Sequence, residues 1–234
     1  MTTAAQVRKL VKPLLARHPD LALVGRMIVV PPVRHILRAI HIDRTGDSCR
    51  FKPKWLVIHL FERSQRVWLN LGGDIYKPRP TSWHRESPNL WWIDDPASPE
   101  VLVEAVEAAV LPRLAVLDVF ENYYAHLTSV EHHTYHLRPY QRVIVEAARG
   151  RLDEVRTICR DELSKWPDDT YGKRPEEIDI IRLPKMICPL AAADNRAGIA
   201  ALLHEWEATT VKNLKIEHLW QPTPFPLELG KPAR

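Results

Sequence analysis

Glycine is scarce in this chain: there are 8 in 234 residues, and the only adjacent pair is Gly72-Gly73. That leaves little room for a glycine-rich loop of the kind that cradles phosphates. Cysteine is scarcer still. Cys49, Cys159 and Cys188 show no metal-ligand spacing, so buried, reduced thiols in a cytosolic protein are the default expectation. No apolar run reaches the roughly 18–20 residues of a membrane span. The opening MTTAAQVRKLVKPLLARHPD mixes charged and apolar residues, unlike a secretory signal. The expectation is a cytoplasmic protein with no membrane partner and no cofactor.

What the chain does have is proline (20), tryptophan (8) and an uneven spread of charge. Residues 1–93 carry sixteen Lys and Arg against six Asp and Glu, a formal +10. Residues 94–234 carry seventeen against twenty-three, a formal −6. A basic front and an acidic back suggest two regions with different surfaces and different partners.

Residues 3–17 carry Val7, Leu10, Val11, Leu14 and Leu15 at helical spacing, with Pro13 set to kink the helix or mark its true start. Residues 21–76 read as strands. The clearest unit is the hairpin WLVIHLFERSQRVWLNLGG, in which Leu56, Ile58 and Leu60 alternate with Trp55, Val57, His59 and Phe61. A four-residue loop, Arg63 to Arg66, sets Leu60 opposite Leu69 and His59 opposite Asn70. Residues 77–99 form a proline- and tryptophan-rich loop. Ser98 then reads as an N-cap with Pro99 at the first helical position.

From Arg138 onward the pattern is helical. AARGRLDEVRTIC and AAADNRAGIAALL look alike, about 45 residues apart, and suggest two stacked helical hairpins of the helical-repeat type. The fold class expected is α+β: an antiparallel sheet flanked by helices over residues 1–137, then an all-α hairpin region with an extended tail over 138–234. Two hairpins are too few for a self-sufficient array, so they must pack on something else.

The order helix, antiparallel strands, aromatic-proline loop, helix over residues 1–127 resembles a bacterial family catalogued as domain of unknown function 4304. The likeness rests on Phe51-Lys52-Pro53-Lys54-Trp55, on Trp68-Leu69-Asn70-Leu71-Gly72-Gly73 and on Leu111-Pro112-Arg113-Leu114. It implies a small intracellular binding protein, with some members suspected in toxin–immunity systems, and it carries over no catalytic residue.

Three constellations could bear function. Trp55, His59, Phe61 and Trp68 share the mixed face of the hairpin, with Lys52, Lys54, Arg34 and Arg38 nearby. Aromatics on an open basic sheet hold single-stranded nucleic acid by stacking and by phosphate contact. The bland alternative is that this face packs against protein. His132 and His136 are four residues apart, as in helical zinc sites, but His133 stands where a zinc hydrolase carries its general-base Glu. The acidic pairs Asp94-Asp95, Asp153-Glu154, Asp168-Asp169 and Glu176-Glu177 could serve acid–base chemistry, or simply complement helix starts.

The reading that follows is a non-enzymatic bacterial binding protein, immunity- or adaptor-like. It would contact a protein partner through Arg34, Arg38, Lys52, Lys54, Trp55, His59, Phe61 and Trp68 or through Trp83, Trp91 and Trp92. Single-stranded nucleic-acid binding is the first alternative. A metal-dependent hydrolase built on His132 and His136 is the second.

Overall fold

The computed structural model describes residues 2–65, 71–78, 88–129, 138–165 and 182–230. The fold is α+β, with an antiparallel sheet and helices. The chain divides into two compact units, and neither is continuous in sequence. Unit 1 comprises Met1–His59, Val67–Tyr123 and Lys215–Gln221. Unit 2 comprises Leu60–Arg66, Tyr124–Leu214 and Pro222–Arg234. The sequence placed one boundary, between residues 137 and 138. The structure instead passes the chain back and forth between the two units.

This division reapportions the charge. Unit 1 holds sixteen Lys and Arg against thirteen Asp and Glu, a net +3; unit 2 holds seventeen against sixteen, a net +1. The contrast along the chain therefore all but vanishes between the units, because acidic residues after position 94 lie in the same unit as the basic strands.

Unit 1 opens with α1 (Ala4–Arg17). Thr3 and Gln6 form a reciprocal capping box at its start, and Pro13 is accommodated inside it. Val7, Leu10, Val11 and Leu14 are the buried stripe. The strands follow: β1 (Ala22–Val24), β2 (Met27–Val29), β3 (Ile36–Arg44), β4 (Arg50–His59), β5 (Gly72–Asp74) and β6 (Trp91–Trp92). Their order is β1-β2-β3-β4-β5, with β6 also paired to β4, and every pairing is antiparallel.

The hairpin register differs from expectation by one residue. The loop expected from sequence would place Leu56 opposite Gly73; the structure places Leu56 opposite Gly72 and Trp55 opposite Gly73. The reason is that β4 ends at His59, and Leu60 through Gln65 leave the sheet to become part of unit 2. The connection is therefore not a tight four-residue hairpin loop. Leu69 and Asn70, the expected partners of Leu60 and His59, lie outside the described residues. Pro53 explains why β5 is short. Ile75 N–H donates to the Pro53 carbonyl, but Pro53 has no N–H to return the bond, and the ladder stops at Asp74.

The helix after β6 runs from α2 (Ser98–Ala105) through a π-helical turn (Val106–Val110) into α3 (Leu111–Val116). Pro112 would break a regular helix. In the π turn, Leu111 N–H reaches back to the Val106 carbonyl, and this wider turn lets the helix continue through the proline. Ser98 is not the N-cap. It is the first helical residue, and its hydroxyl donates to the Trp92 carbonyl. Acidic α2 and its π turn meet basic α1: Arg17 pairs with Glu100 at 2.7 Å and with Glu107 at 3.4 Å, and His18 lies 2.9 Å from Glu107. Helix α4 (Phe120–Thr128) follows, and the division between the units falls between its Tyr123 and Tyr124.

Unit 2 contains the two expected helical hairpins. The first is α5 (Pro139–Ala148) and α6 (Leu152–Asp161); the second is α7 (Ile187–Ala192) and α8 (Arg196–Leu214). Each turns on a left-handed residue, Gly150 at φ +80° and Asp194 at φ +50°. Arg156 of α6 ties the hairpins together by donating to the Ala191 carbonyl and pairing with Asp194 at 3.0 Å. Asp153 and Glu154, a candidate acidic pair, are partners of Arg156 and Arg142. Two other candidate pairs, Asp168-Asp169 and Glu176-Glu177, lie outside the described residues. Ser64 caps α8 from the side, its N–H donating to the Thr210 hydroxyl, while Asn213 donates to the Ser64 carbonyl. Part of what the short array packs on is thus the segment that leaves the sheet.

Cys159 on α6 and Cys188 on α7 are not reduced core thiols: they form a disulfide across 29 residues of sequence, with their Cα atoms 5.8 Å apart. Cys49 is free and half-buried. Closing a loop of this length restricts the unfolded chain, so replacing both cysteines with serine is expected to destabilise the oxidised protein by about 3 kcal/mol. The wild type in reductant should fall to nearly the same midpoint. Urea titrations of both proteins with and without a thiol reductant measure this, and equal midpoints for all four samples would contradict it.

Candidate functional site

The two long strands dictate where functional side chains can go. In the β3–β4 register, Ile36 faces His59, Arg38 faces Val57, Ile40 faces Trp55 and Ile42 faces Pro53. These residues share one side of the sheet. Ala39–Leu56, His41–Lys54 and Asp43–Lys52 alternate onto the other.

The first side is closed. Trp55, His59 and Arg38 retain 6%, 1% and 4% of their exposure. Helices of the same unit cover them. The Arg113 guanidinium sits 4.8 Å from the Trp55 ring, Arg38 donates to the Leu114 carbonyl, and His59 Nδ1 shares a 2.5 Å hydrogen bond with the Tyr123 hydroxyl. Arg38 also pairs with Asp118 at 3.1 Å, and Arg34, nearer the surface, pairs with the same carboxylate at 2.9 Å. Phe61 is buried in unit 2, edge-to-face with Phe225. Arg38, Trp55, His59 and Phe61 are therefore interior, and no aromatic platform for bases lies open on this side among the described residues. Trp91 is interior too, its indole N–H donating to the Ile75 carbonyl. Trp68, Trp83, His132 and His136 lie outside the described residues. Among the described residues, no group of three His, Cys, Asp or Glu is placed to hold a metal ion.

The other side changes character along its length. Leu37, Ala39, Leu56 and Ile58 are fully or nearly fully buried. Toward the β3–β4 turn come His41, Asp43, Arg50, Lys52 and Lys54, all half-buried. Lys54 pairs with Asp74 at 3.6 Å and Arg50 with Asp47 at 3.1 Å. Lys52 faces Asp43 across the strands but makes no ion pair among the described residues. Two aromatics border these cations. Trp92, half-buried, lies opposite Arg50, whose guanidinium stacks 4.3 Å from the ring. Tyr76 follows two residues after Asp74 and is 57% exposed. Of the residues expected from sequence, Lys52, Lys54 and Trp92 meet here. Tyr76, Arg50 and His41 complete the strip, and alternation along Arg50-Lys52-Lys54 was the signal for it.

His41 is the electrostatic probe of the strip. Burial holds its pKa below the ordinary 6.5; Asp43 opposes the shift, while Arg26, Lys54 and Arg44 add to it. Its Nδ1 is buried without a hydrogen-bond partner among the described residues, which suits a neutral ring. A depressed folded pKa contributes stability that is complete above the unfolded value and is lost as pH falls through the folded one. Stability of the wild type should therefore decline below about pH 6.5. In His41→Asn, chemical denaturation across that range should give a flatter midpoint curve. Superimposable curves would remove His41 as a cause.

No helix among the described residues is long and apolar enough to cross a membrane. No family model matches the chain, and neither a curated protein nor a solved structure does.

Proposed function

We propose that this is a non-catalytic binding protein whose partner is another protein, held on the strip formed by Arg50, Lys52, Lys54, Tyr76 and Trp92. The observation that carries the reading is composition in place. An exposed tyrosine and a half-buried tryptophan flank an arginine and a lysine that has no counter-ion among the described residues. Tyr, Trp and Arg are the residues that dominate protein interfaces. The strip also carries Asp43, Asp47 and Asp74, which nearly balance its cations. A phosphate backbone would be repelled by those carboxylates, whereas a protein surface of mixed charge can meet both signs. Immunity or adaptor function is the concrete form of this proposal, in line with the resemblance over residues 1–127. The Cys159–Cys188 bridge favours an oxidising compartment over the cytoplasm expected from the thiol count.

A photo-crosslinking amino acid at position 76, compared with one at exposed Thr157 on α6, tests it. The expected result is one discrete protein adduct from position 76 in extract of the source cells and none from position 157. The adduct should vanish in Lys52→Glu and also in Lys52→Gln, whose thermal midpoint should stay near the wild-type value because it removes the charge without setting a second carboxylate opposite Asp43. Salt-sensitive oligonucleotide binding lost in Lys52→Glu, with no protein adduct, would replace the reading with nucleic-acid binding.

A further inference from the structure

We propose that unit 2 contains a peptide-recognition groove which the protein's own tail, Pro222–Gly230, occupies in cis. Its ligand class is a proline-spaced peptide presenting an aromatic, an aliphatic and an acidic residue in that order and turning at its acidic end, where the Phe225 N–H donates to the Glu228 carboxylate and the Glu228 N–H to the Phe225 carbonyl. The groove is built from three receiving features. Phe61 and the His204 ring take Phe225 between them, with ring centroids 5.3 Å and 4.7 Å away, and Phe225 is fully buried. Gly150 receives Leu227: a Cβ on Gly150 would lie 3.2 Å from the Leu227 Cα, so this close approach favours a residue without one. The Leu227 N–H donates to the Ala148 carbonyl at the end of α5, and its side chain is 1% exposed. His204 then reads the acid. Its Nε2 lies 2.8 Å from the Glu228 carboxylate, while its Nδ1 is backed by Glu207, itself fully buried, at 3.6 Å.

These are the elements of peptide capture: a backbone hydrogen bond, two side-chain seats and one charged anchor. The tail suits them because Pro222, Pro224 and Pro226 alternate with Thr223, Phe225 and Leu227, and each proline fixes one backbone angle before the chain docks. These ties lie at Phe225, Leu227 and Glu228, close together in sequence, so the segment can open locally while the helices of the unit stay folded. A peptide of the same pattern on another protein would therefore compete for the groove once the tail lifts.

The test uses the full chain. Phe225→Ala/Leu227→Ala releases the tail and leaves Phe61, Gly150, His204 and Glu207 in place. A fluorescent peptide of the sequence PTPFPLELG is titrated into wild type and variant by anisotropy. The expected result is binding at least about tenfold tighter to the variant, reduced when the peptide's glutamate is replaced by glutamine. A variant with a native circular-dichroism spectrum that binds the peptide no better than wild type would overturn the proposal. Should the variant unfold, amide exchange of the wild type decides. The Leu227 amide is expected to exchange about 100-fold faster than that of Leu203 inside α8. Equal protection of the two amides would mean that the tail opens only with the whole unit, and the groove would not be a site for exchange.

Discussion

Gly72→Ala is expected to lower the unfolding free energy by about 3 kcal/mol or more, among the largest effects of any single methyl group in this chain. The cause is steric and local. A Cβ built on Gly72 would sit 2.0 Å from the Trp55 carbonyl oxygen and 2.8 Å from the Leu56 Cα. Both obstacles are backbone atoms of β4, an interior strand paired with β3, β5 and β6, and neither can swing aside as a side chain would. Relief requires β5 to move away from β4, which breaks the pairing of Leu56 with Gly72 and its neighbours. The adjacent Gly73 is also tight, but there the obstacle is the Trp55 indole at 2.9 Å, so Gly73→Ala should cost less. Gly46, at the β3–β4 turn, would place a methyl group in open space, with nothing within 4 Å, and serves as the neutral control. Thermal or urea unfolding of the three alanine variants should rank Gly72 worst and Gly46 closest to wild type. A Gly72→Ala midpoint equal to that of Gly46→Ala would show that β5 pairing contributes nothing to stability.

That steric demand bears on how much of the molecule could be read from sequence. The Gly72-Gly73 pair stood out, yet its reason depends on strand register, which local pattern fixed only to within one residue. Alternation identified β4, because Trp55, Val57 and His59 do face away from Leu56 and Ile58. It could not reveal that the strand stops at His59, since Leu60 and Phe61 continue the same alternation while docking elsewhere. The hairpins of unit 2 were legible for the opposite reason. Helical periodicity and a turn signal are both local, and Gly150 and Asp194 turn the chain at equivalent places. The Cys159–Cys188 bridge had no local signature at all: its partners are 29 residues apart and meet only because α6 lies against α7.

The candidate site was half legible. Lys52 and Lys54 were expected on a basic sheet face and Trp92 in a separate tryptophan-rich loop, whereas the structure pairs Trp92 with Arg50 on the lysines' own strand. The two lysines were assigned to the same side as Trp55 and His59, and that was the error. Even- and odd-numbered residues of one strand point to opposite sides, so Lys52 and Lys54 belong with Leu56, not with Trp55. The charge contrast along the chain misled for a related reason. Glu100 and Glu107 are distant in sequence from Arg17 but neutralise it in space. Charge summed along a sequence describes a surface only when the chain does not fold back on itself within one unit.

The second large effect concerns Arg38, whose side chain is 5% exposed and leans on Asp118. Burial pushes the Arg38 pKa down and the Asp118 charge pushes it back up, while Arg34 acts with burial. Asp118→Ala removes that compensation. Among the described residues, Arg38 would keep only the carbonyls of Leu114 and Pro32 as acceptors, and its Nε has no partner there. Stranding a buried cation in this way is expected to cost about 3 kcal/mol or more. Removing the cation as well should recover part of that loss, so Arg38→Met/Asp118→Ala is expected to be more stable than Asp118→Ala alone. The sign follows from solvation: the single variant buries an uncompensated charge, and the double variant buries none. The four corners of this double-mutant cycle, measured by urea unfolding, isolate the coupling from the loss of Asp118's contact with Arg34. Additive effects of the two substitutions would mean that Arg38 is solvated by its carbonyl partners alone and that Asp118 serves Arg34 at the surface.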